Sequence, residues 1–487
     1  MRFTPQTYAR IAAAGLVATM LFSGMSATAD EFARPSGGKT AVHQDGKIVR
    51  SAKPAMAKTT SIGHTSMEPT IAIDSSGEIF MTAGSWTDTP GVSTGGATEI
   101  VRSSNGAKTW SFVTPKVLGQ NHQRVSLDPY VYVDDLDGDN SRLFSIDLTA
   151  ACSYMSFSDD DGETWLTNPL ACGRPVNDHQ TLFSGPPVSS PTVQYPNILY
   201  YCWNDVASSA CSKSLDGGLT FHPTGAPAFV GYDTAEDGGF CGGLHGHGVV
   251  AHDGTIYLPR EYCGRPFISV SKDEGVTWTN HRVSKKAANG GSDTSVAVDK
   301  KGNVYYLWLG EDRLPYLATS RNGGEKWSKP VAVGPPGLKE ANLPSIDARG
   351  VGKIALVYYG SENSPYKPCE EDCPQLDYLK TTWNGYLTIS ANALDKSPLL
   401  YTGLANKRSE PLVRQRCGPG RCYNVMDFID IRIGPDGIAY AAFVDVCMPA
   451  PAGEPACTKD TPNNAFGPGS GRSEGLVTKL VGGPSLN

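Results

Sequence analysis

Seven polar residues stand at equivalent points along the sequence, each just before a segment with the pattern of a buried strand. Five of them carry a carboxyl group, and the set comprises Glu68, Asp128, Asp178, His247, Asp293, Asn342 and Asp427. Carboxyl groups held close together raise each other's pKa values unless a cation or sugar hydroxyls lie between them. Paired carboxyls of this kind act as general acids and bases. The alternative explanation is structural, because Asp and Asn are common where a strand starts and form turn hydrogen bonds there.

Three members of this set, Asp128, Asp178 and Asp293, are our candidate catalytic residues and would serve as acid and base. A divalent cation held by the carboxylates is the one cofactor that the arrangement suggests, and the sequence identifies no definite set of metal ligands. The candidate substrate-binding residues are Glu68, His179, His245, His247, Arg260, Asn342 and Asp427.

A second cluster surrounds two histidines in the stretch from Cys241 to His252. His245 and His247 are two residues apart, so on a strand they would share a face and could ligate a metal or take part in acid–base chemistry. Without further ligands, a pair of histidines more often has a structural or hydroxyl-binding role. The triplet Asp178-His179-Gln180 echoes Asn121-His122-Gln123, and repeat homology alone would explain that echo.

Hairpins of buried strands must position these residues, and the chain contains seven such patterns. Each consists of two apolar segments around a short turn, of which Asp253-Gly254 and Asp436-Gly437 are clear examples. The hairpins run from Pro69 to Ala83, Pro129 to Asp147, Gln180 to Trp203, Gly248 to Pro259, Thr294 to Leu309, Leu343 to Tyr359 and Phe428 to Val444.

A shorter pattern, Ser-x-Asp-x-Gly-x-Thr-Trp, follows each of the first five hairpins. Its residue types suit a turn, because Asp or Asn accepts hydrogen bonds from turn amides and Gly adopts a positive φ. The Trp would then pack between sheets. Two copies are complete and three are variants: Ser158 to Trp165, Ser271 to Trp278, Ser103 to Trp110, Ser214 to Phe221 and Ser320 to Trp327.

These five copies resemble the Asp-box (BNR) repeat, and the chain resembles the sialidase superfamily. In those families the repeat lies between the third and fourth strands of a propeller blade, so the resemblance implies an all-β fold, a β-propeller of four-stranded blades. Sialidase-type propellers usually have six blades. The seven hairpins favour seven here, and six blades with one extra hairpin is the alternative. No recognisable copy follows the last two hairpins, so we expect degenerate turns there.

The resemblance also implies a sialidase site, with three arginines that hold the substrate carboxylate and a Tyr nucleophile in place of one carboxylate. The first arginine would lie in a Phe/Tyr-Arg-Ile-Pro motif, but the corresponding stretch from Ser66 to Ile71 has Glu68 at that position. A carboxylate-rich mouth should repel an anionic sugar. Other arginines and tyrosines near suitable loops, none of them in a family motif, are Arg124, Arg260, Arg313, Arg414, Tyr262, Tyr316 and Tyr359.

The first 29 residues have the features of a secretory signal peptide: Arg2 and Arg10 precede an apolar run, and Ala27-Thr28-Ala29 forms a cleavage site. The apolar run is shorter than the roughly 20 residues that span a bilayer. We therefore expect a secreted chain. Residues 30–60 would be a polar leader in which Gly46 to Ser51 closes the ring, and residues 61–487 would form the propeller, with an elaborated insertion at about 360–416.

Composition agrees with this organisation, because 54 Gly and 35 Pro suit many short strands joined by turns. The formal charge of −7 becomes −9 once Arg2 and Arg10 are removed with the signal peptide. Such a charge argues against nucleic acid as a partner, since nucleic-acid binding rests on Lys and Arg. It also argues against an anionic membrane surface. We expect a monomer without membrane insertion whose partner is extracellular carbohydrate.

All twelve cysteines follow the signal peptide, and an even number in an exported chain indicates disulfides. Pairing between sequence neighbours would join Cys202 to Cys211 and Cys417 to Cys422. Zinc is the alternative, because the spacings of Cys369 to Cys373 and of Cys417 to Cys422 are roughly those of metal ligands.

Three functions are compatible with these observations. The first is a secreted glycoside hydrolase that uses the ring carboxylates. The second is a non-catalytic glycan- or protein-binding propeller, for which aromatic side chains such as Trp86, Trp203 and Trp308 would suffice. The third is a polysaccharide lyase, in which a His or Tyr near the mouth would abstract a proton.

Overall fold

The structure is a computed structural model, and it is all-β over the part of the chain that it describes. No helix among these residues is long and apolar enough to cross a membrane. The described residues are 40–44, 46–49, 56–84, 99–115, 126, 128–136, 140–149, 152–170, 177–205, 208–231, 241, 243–288, 293–367, 380–414, 417, 421–422, 425–447 and 473–487.

The strands are short and follow one another without helices between them. Three N-terminal strands are β1 (Ala41–Gln44), β2 (Lys47–Ile48) and β3 (Met56–Thr65). Blade 1 has β4 (Ile71–Ile73), β5 (Ile79–Ala83), β6 (Glu99–Ser103) and β7 (Ser111–Phe112). Blade 2 has β8 (Tyr130–Asp135), β9 (Ser141–Thr149), β10 (Cys152–Ser158) and β11 (Leu166–Leu170). Blade 3 has β12 (Asp178–Gly185), β13 (Ile198–Asn204), β14 (Ser209–Ser214) and β15 (His222–Pro223).

The remaining blades repeat this arrangement. Blade 4 has β16 (Val249–Val250), β17 (Ile256–Tyr262), β18 (Arg265–Ser271) and β19 (Thr279–Arg282). Blade 5 has β20 (Ser295–Val298), β21 (Val304–Leu309), β22 (Pro315–Ser320) and β23 (Val331–Ala332). Blade 6 has β24 (Glu340–Ala348), β25 (Ile354–Ser361), β26 (Thr382–Ser390), β27 (Leu399–Leu404) and the short β28 (Val413–Arg414). Blade 7 has β29 (Asp430–Ile433), β30 (Ala439–Asp445) and β31 (Glu474–Val481).

These strands form a β-propeller of antiparallel sheets. Six sheets have four strands each, and a seventh, blade 6, is a four-stranded blade extended by β1, β2 and β28. The seven predicted hairpins are the first and second strands of the seven sheets, so the favoured count of seven is the one observed. The innermost strands contact their neighbours in sequence order, and β29 contacts β4, which closes the ring.

Ring closure corrects one expectation. The outermost strand of blade 7 is β3, which pairs with β31 in the register Met56 to Val481. Residues 46–49, the described part of the segment from Gly46 to Ser51, do not close the ring, because β1 and β2 add to the outer edge of β27 in blade 6. The described residues between 40 and 60 therefore contribute strands to two blades.

Burial follows position within the blade. The second strands are buried along their whole length in most blades, as in β13, β21 and β25, because neighbouring blades cover both faces. This explains their continuous apolar sequences. The outermost strands β7 and β15 are two residues long and exposed. Edges this short offer little backbone for unwanted pairing with another chain.

Polar side chains join every blade to the next by hydrogen bonds to backbone atoms. Such bonds satisfy main-chain groups that would otherwise be buried without a partner. The donor and acceptor pairs, in ring order, are Ile71 N–H to Asp430 Oδ2 (3.2 Å), Val131 N–H to Thr70 Oγ1 (2.8 Å), His179 N–H to Asp128 Oδ2 (2.9 Å), Gly248 N–H to Thr181 Oγ1 (3.2 Å), Tyr306 O–H to Arg260 O (3.1 Å), Ile346 N–H to Ser295 Oγ (3.1 Å) and Ile433 N–H to Asp347 Oδ2 (2.7 Å).

The five copies of the short repeat all lie between the third and fourth strands of blades 1 to 5, as the resemblance expects. In the copy at 158–165, Ser158 Oγ accepts from Gly162 N–H at 2.8 Å, and Asp160 Oδ1 accepts from Thr164 N–H at 2.8 Å. The Trp165 indole N–H donates to Val113 O of blade 1 at 2.8 Å. The turns thus hold the outer strands and also link neighbouring blades.

Blade 6 contains a degenerate turn of the kind expected after the sixth hairpin. Ser390 ends the third strand, and its hydroxyl donates to Asn392 Oδ1 at 3.2 Å, the same bond that opens the other turns. Asn392 Oδ1 also accepts from Leu399 N–H at 2.9 Å. The sequence lacks the Gly and Trp of the repeat, so only the Ser-x-Asn signal remains.

Disulfides confirm both predicted pairs, Cys202–Cys211 and Cys417–Cys422, and add Cys241–Cys263. Cys447 is also disulfide-bonded. The pairing of Cys417 with Cys422 leaves them unable to act as zinc ligands. Cys369 and Cys373, like residues 1–29 for which a signal peptide is predicted, lie outside the described residues.

The turn glycines allow a direct test of how tightly the blades pack. Gly162 has a φ of +90°, and a Cβ there would lie 2.7 Å from Val113 Cβ. We expect Gly162→Ala to lower the free energy of unfolding by about 2–4 kcal/mol, since backbone strain and a steric clash add together. Gly302→Ala is the matched control, because Gly302 has a φ of +77° but nothing within 4 Å of a Cβ. Its cost should be about 1 kcal/mol. If denaturant titrations give the same loss of unfolding free energy for Gly162→Ala and Gly302→Ala, packing against Val113 does not contribute to stability.

The bonds between blades are tested at Thr70, which is fully buried. Thr70→Val keeps the shape but leaves the Val131 N–H without its acceptor, so it should cost about 1–3 kcal/mol of unfolding free energy. Thr70→Ser retains the hydroxyl and should cost less. The measurement is chemical denaturation of both variants, and a Val variant as stable as the Ser variant would contradict a stabilising role for this bond.

Candidate functional site

Six of the seven predicted ring residues meet where the innermost strands begin. Electrostatic interactions link Glu68, Asp128, Asp178, Asp293 and Asp427 with His179, and His179 in turn interacts with His247. We call the five carboxyl residues together with His179 and Arg421 the acidic mouth. Six of the seven side chains therefore lie near one another, whereas their role in binding or catalysis stays a prediction.

Glu68 lies deepest in the acidic mouth and is only 1% exposed. Its Oε1 accepts a hydrogen bond from Asp427 N–H at 3.0 Å, while Oε2 is buried without a hydrogen-bond partner. Burial is the main cause that raises the pKa of this carboxyl well above its ordinary value, and the charges of Asp128 and Asp427 raise it further. The backbone of Glu68 has a φ of +43°, so the loop holds it in a strained conformation.

Asp128 is buried beside Glu68 and is bonded to the next blade. Its Oδ2 accepts from His179 N–H at 2.9 Å, and its backbone carbonyl accepts from the Gln180 amide at 2.5 Å. Burial, followed by the charge of Asp178, raises the pKa of Asp128 to about 7, although His179 opposes the shift. Asp128 can therefore hold a proton at neutral pH, as a general acid must.

His179 and Asp293 form an ion pair inside the mouth, with Nε2 and Oδ2 2.8 Å apart. Burial lowers the pKa of His179, but Asp293, Asp128 and Asp178 outweigh it and bring the pKa to about 9. Burial raises the pKa of Asp293, and the imidazolium partly opposes that shift. His179 thus carries a positive charge at neutral pH and cannot act as a base there.

Arg421 and Asp427 form a second ion pair, in which both carboxylate oxygens accept from the guanidinium. Arg421 Nε lies 2.5 Å from Asp427 Oδ1. Asp178 is solvent-exposed at the same mouth, and it is the candidate catalytic residue most accessible to a ligand.

Two neutral histidines and a phenylalanine lie beside His179. The His247 ring is stacked 6.1 Å from that of His179, and both contact Phe428 at 5.3 Å between ring centroids. Burial and the charge of His179 lower the pKa of His247 well below its ordinary value, and that of His245 to about 3. The Nε2 atoms of both histidines are buried without a partner.

Three predicted binding residues take positions behind the mouth. His245 is fully buried, with Nδ1 2.9 Å from Gly246 O. Arg260 is 2% exposed and donates to Ser209 Oγ and Gly243 O, so it does not reach a ligand at the mouth. Asn342 is buried, and its side chain accepts from Leu343 N–H at 2.9 Å.

The residues considered for a sialidase-like site are engaged in structural contacts. Arg313 is buried against Glu340, the Tyr359 hydroxyl donates to Val444 O, and the Tyr316 hydroxyl donates to Asp312. Tyr262 is buried. Arg414 is half-buried, and burial lowers its pKa.

The structure also corrects the hypothesis that Trp203 and Trp308 form a binding surface. Trp203 and Trp308 are buried at 2% and 0% exposure, so neither can stack against a glycan. Trp86, His122 and Arg124 lie outside the described residues.

Sequence reasoning missed Arg421, Phe428 and Arg432. Asp430 and Arg432 are two residues apart in β29 and so share one face of the strand, and Phe428 precedes them at the same spacing. That signal was available from the sequence. Arg432 donates to Asp430 Oδ1 at 2.7 Å, deeper along the innermost strands. Arg421 lies in a loop with no such periodicity.

The described side chains form no metal centre. Within the ranges given above, no group of three or more His, Cys, Asp or Glu side chains is placed to hold a metal ion. A cavity of ≈ 540 Å³ lies at the opposite ends of the innermost strands, next to Val250, Val298 and Ala348, and none of the mouth residues lines it.

Fold and site together define a seven-bladed β-propeller with an acidic mouth. Neither protein-family models nor curated proteins match the sequence. Solved structures do. A Hadza microbial sialidase is 14% identical, with a TM-score of 0.40 over 61% of this chain, which spans 63% of that sialidase. A protein of unknown function from Dyadobacter fermentans is 12% identical, with a TM-score of 0.39 over 92% and 99% of the two chains. The Aleuria aurantia lectin, solved with Fucα1-6GlcNAc, is 11% identical, with a TM-score of 0.42 over 71% and 98%. At these identities the similarity concerns the fold alone.

The raised pKa of Asp128 predicts how stability depends on pH. A carboxyl whose pKa is about 7 in the folded state and near 4 unfolded binds its proton more tightly when folded, so stability falls as pH rises from 4 through 7. Asp128→Asn keeps an acceptor for His179 N–H and removes the titration. We compare the free energy of unfolding of Asp128→Asn with that of the parent chain. The difference in favour of the variant should be about 2 kcal/mol larger at pH 8 than at pH 5.

The measurement is denaturant unfolding of both proteins at the two pH values. Glu325→Gln serves as control, since Glu325 is an exposed residue paired only with Lys272. If the difference in free energy of unfolding between Asp128→Asn and the parent chain is the same at both pH values, the pKa assigned to Asp128 is wrong.

Proposed function

We propose that this chain is a secreted glycoside hydrolase that acts on an extracellular glycan at the acidic mouth. The observation that carries the proposal is the presence of carboxyl groups in contrasting environments at one opening. Asp128 is buried beside Glu68, while Asp178 of the next blade is exposed and close enough to interact with it. Carboxyls in contrasting environments are how one site supplies both an acid and a base.

In this mechanism Asp128 donates a proton to the glycosidic oxygen as the bond to the leaving group breaks. Its pKa of about 7 keeps it protonated in mildly acidic and neutral solution. Asp178 is the carboxylate that activates water or stabilises the positive charge on the sugar ring. Asp293 holds His179 in place, and the His179 backbone N–H fixes the Asp128 side chain.

The same geometry disfavours an acidic sugar such as sialic acid. Glu68 occupies the place of the expected arginine, and among the described residues of the mouth Arg421 is already paired with Asp427. Arg432 is paired with Asp430. A carboxylate on the substrate would meet more negative than positive charge, so the proposal is for a glycan without one.

The lyase alternative has less support. His179 is protonated, and His245 is fully buried, so neither can abstract a proton from substrate. Burial raises the pKa of Tyr130 to about 12, and its hydroxyl contacts Thr181 and Leu182 of the next blade.

Export rests on the sequence features of residues 1–29 together with the disulfides. Cys202–Cys211, Cys241–Cys263 and Cys417–Cys422 suit an oxidising compartment. Extracellular glycans would then be the available substrates.

The test is turnover of a panel of neutral glycans and aryl glycosides by the purified chain and by Asp128→Asn. If Asp128 is the acid, the variant should lose about 100-fold or more in kcat/KM on glycans with alcohol leaving groups. Aryl glycosides with acidic phenol leaving groups depend less on protonation of the leaving group. The kcat/KM of Asp128→Asn should therefore fall less on these substrates. Asp178→Asn should impair both kinds of substrate.

The pH profile and a surface variant complete the experiment. For the parent chain, kcat/KM should fall as pH rises above about 7, where Asp128 loses its proton. Glu325→Gln should behave as the parent. Absence of turnover on every glycan, with glycan binding retained, would replace the hydrolase by a binding propeller, and equal losses on both leaving groups would remove Asp128 from the acid role.

A further inference from the structure

Among the described residues, the carboxyl groups of the acidic mouth outnumber the cations paired with them. Arg421 forms an ion pair with Asp427, and the His179 imidazolium with Asp293. Within the ranges that the structure describes, Glu68, Asp128 and Asp178 have no cationic partner in an ion pair. Asp178 is exposed to water, but Glu68 and Asp128 are 1% and 8% exposed.

The position of Glu68 Oε2 is the second and independent observation. This buried oxygen has no hydrogen-bond donor among the residues that the structure describes, and it belongs to a side chain that interacts with Asp128 and Asp427. A buried carboxylate oxygen left without a donor costs free energy that the fold does not recover. Its companion Oε1 already accepts from Asp427 N–H, so the carboxylate cannot rotate to satisfy both oxygens.

We propose that the acidic mouth binds a glycan that carries a free, protonated amino group, with the ammonium donating to Glu68 Oε2 between Glu68 and Asp128. The ligand class is thus an oligosaccharide of amino sugars that are not N-acetylated. This inference rests on the proposed function for the carbohydrate nature of the ligand and names its chemical class.

An ammonium group fits these surroundings better than a metal ion does. It offers three N–H donors to separate acceptors and needs no close coordination shell. A hard cation such as Ca²⁺ requires six or more oxygen ligands, and the described side chains here form no group of three placed around a common point. The buried Nε2 atom of His247 belongs to a neutral ring that is stacked on His179, so it suits a hydroxyl group of the same sugar.

Binding of an ammonium should also release protons. In the free chain the pKa values of Glu68 and Asp128 are raised, by burial above all, so both can hold protons near neutral pH. The groups that face them are Asp178, His179, Asp427 and Arg421. A cation placed between Glu68 and Asp128 lowers both pKa values and expels protons into solution.

The experiment is isothermal titration of the full chain at about pH 6, where an amino sugar is protonated. A glucosamine tetrasaccharide is compared with the N-acetylglucosamine tetrasaccharide of the same length, in two buffers of different ionisation enthalpy. We expect the amine form to bind about tenfold more tightly or better, as a charge-assisted hydrogen bond implies. We also expect proton release with the amine form only.

Glu68→Gln provides the key variant, because Gln keeps an acceptor for Asp427 N–H but removes the charge. It should abolish the preference for the amine form and the proton release while folding normally. Glu325→Gln, at an exposed position outside the mouth, should retain both. Circular dichroism and thermal unfolding confirm that each variant is folded.

Two further ligands test whether the mouth selects an amino sugar or accepts positive charge from a peptide or a metal ion. A trilysine peptide that binds as tightly as the amino sugar would overturn the assignment to a glycan. Binding of Ca²⁺ that depends on Glu68 would overturn the assignment to an ammonium group, as would equal affinity for the two tetrasaccharides. Turnover of neutral glycans without amine preference would refute this inference alone, whereas amine-dependent binding without turnover would refute only the hydrolase.

Discussion

Hydrogen bonds from polar side chains to the backbone of the next blade are the interaction on which the rest of this propeller depends. Apolar packing holds the sheets face to face, but packing is tolerant of small shifts. The hydrogen bond that Val131 N–H donates to Thr70 Oγ1, or that Ile433 N–H donates to Asp347 Oδ2, fixes the height of one innermost strand against the next. Because such bonds join all seven neighbouring pairs, the ring acquires one register, and the residues at the strand starts are brought to one level.

The acidic mouth is an extension of this network with an unfavourable electrostatic cost. Asp128 bonds to blade 3 as Thr70 bonds to blade 2, and Glu68 bonds to the loop that begins blade 7. Threonine or asparagine could serve these bonds without a charge. The carboxyls are instead buried close to one another, which raises their pKa values and lowers stability at neutral pH. Stability lost at a cluster of this kind is typical of a site kept for binding or chemistry.

The periphery of the molecule has a different task. The turns between third and fourth strands hold short, exposed outer strands in place through Ser, Asp and Gly, and Trp165 links its turn to blade 1. Ala107 takes the place of Gly in the first copy with a φ of +65°, which shows that surrounding bonds can impose the turn on a residue that disfavours it. The turns therefore maintain the outer blades independently of the charges at the acidic mouth.

Sequence alone determined the blade organisation, because strand pairs and turn residues repeat with local patterns that need no distant partner. It also singled out Glu68, Asp128, Asp178, Asp293 and Asp427, since each lies at or just before the start of an innermost strand. Only the tertiary structure decided which charges remain unpaired. The pairing of Arg421 with Asp427, the removal of Arg260 from the mouth and the closure of the ring by Met56–Thr65 all depend on contacts between segments far apart in the chain or on loops without periodicity. The local sequence pattern determines which strand a residue lies on. Its protonation depends on burial and on neighbouring charges, and both are supplied by residues of other blades.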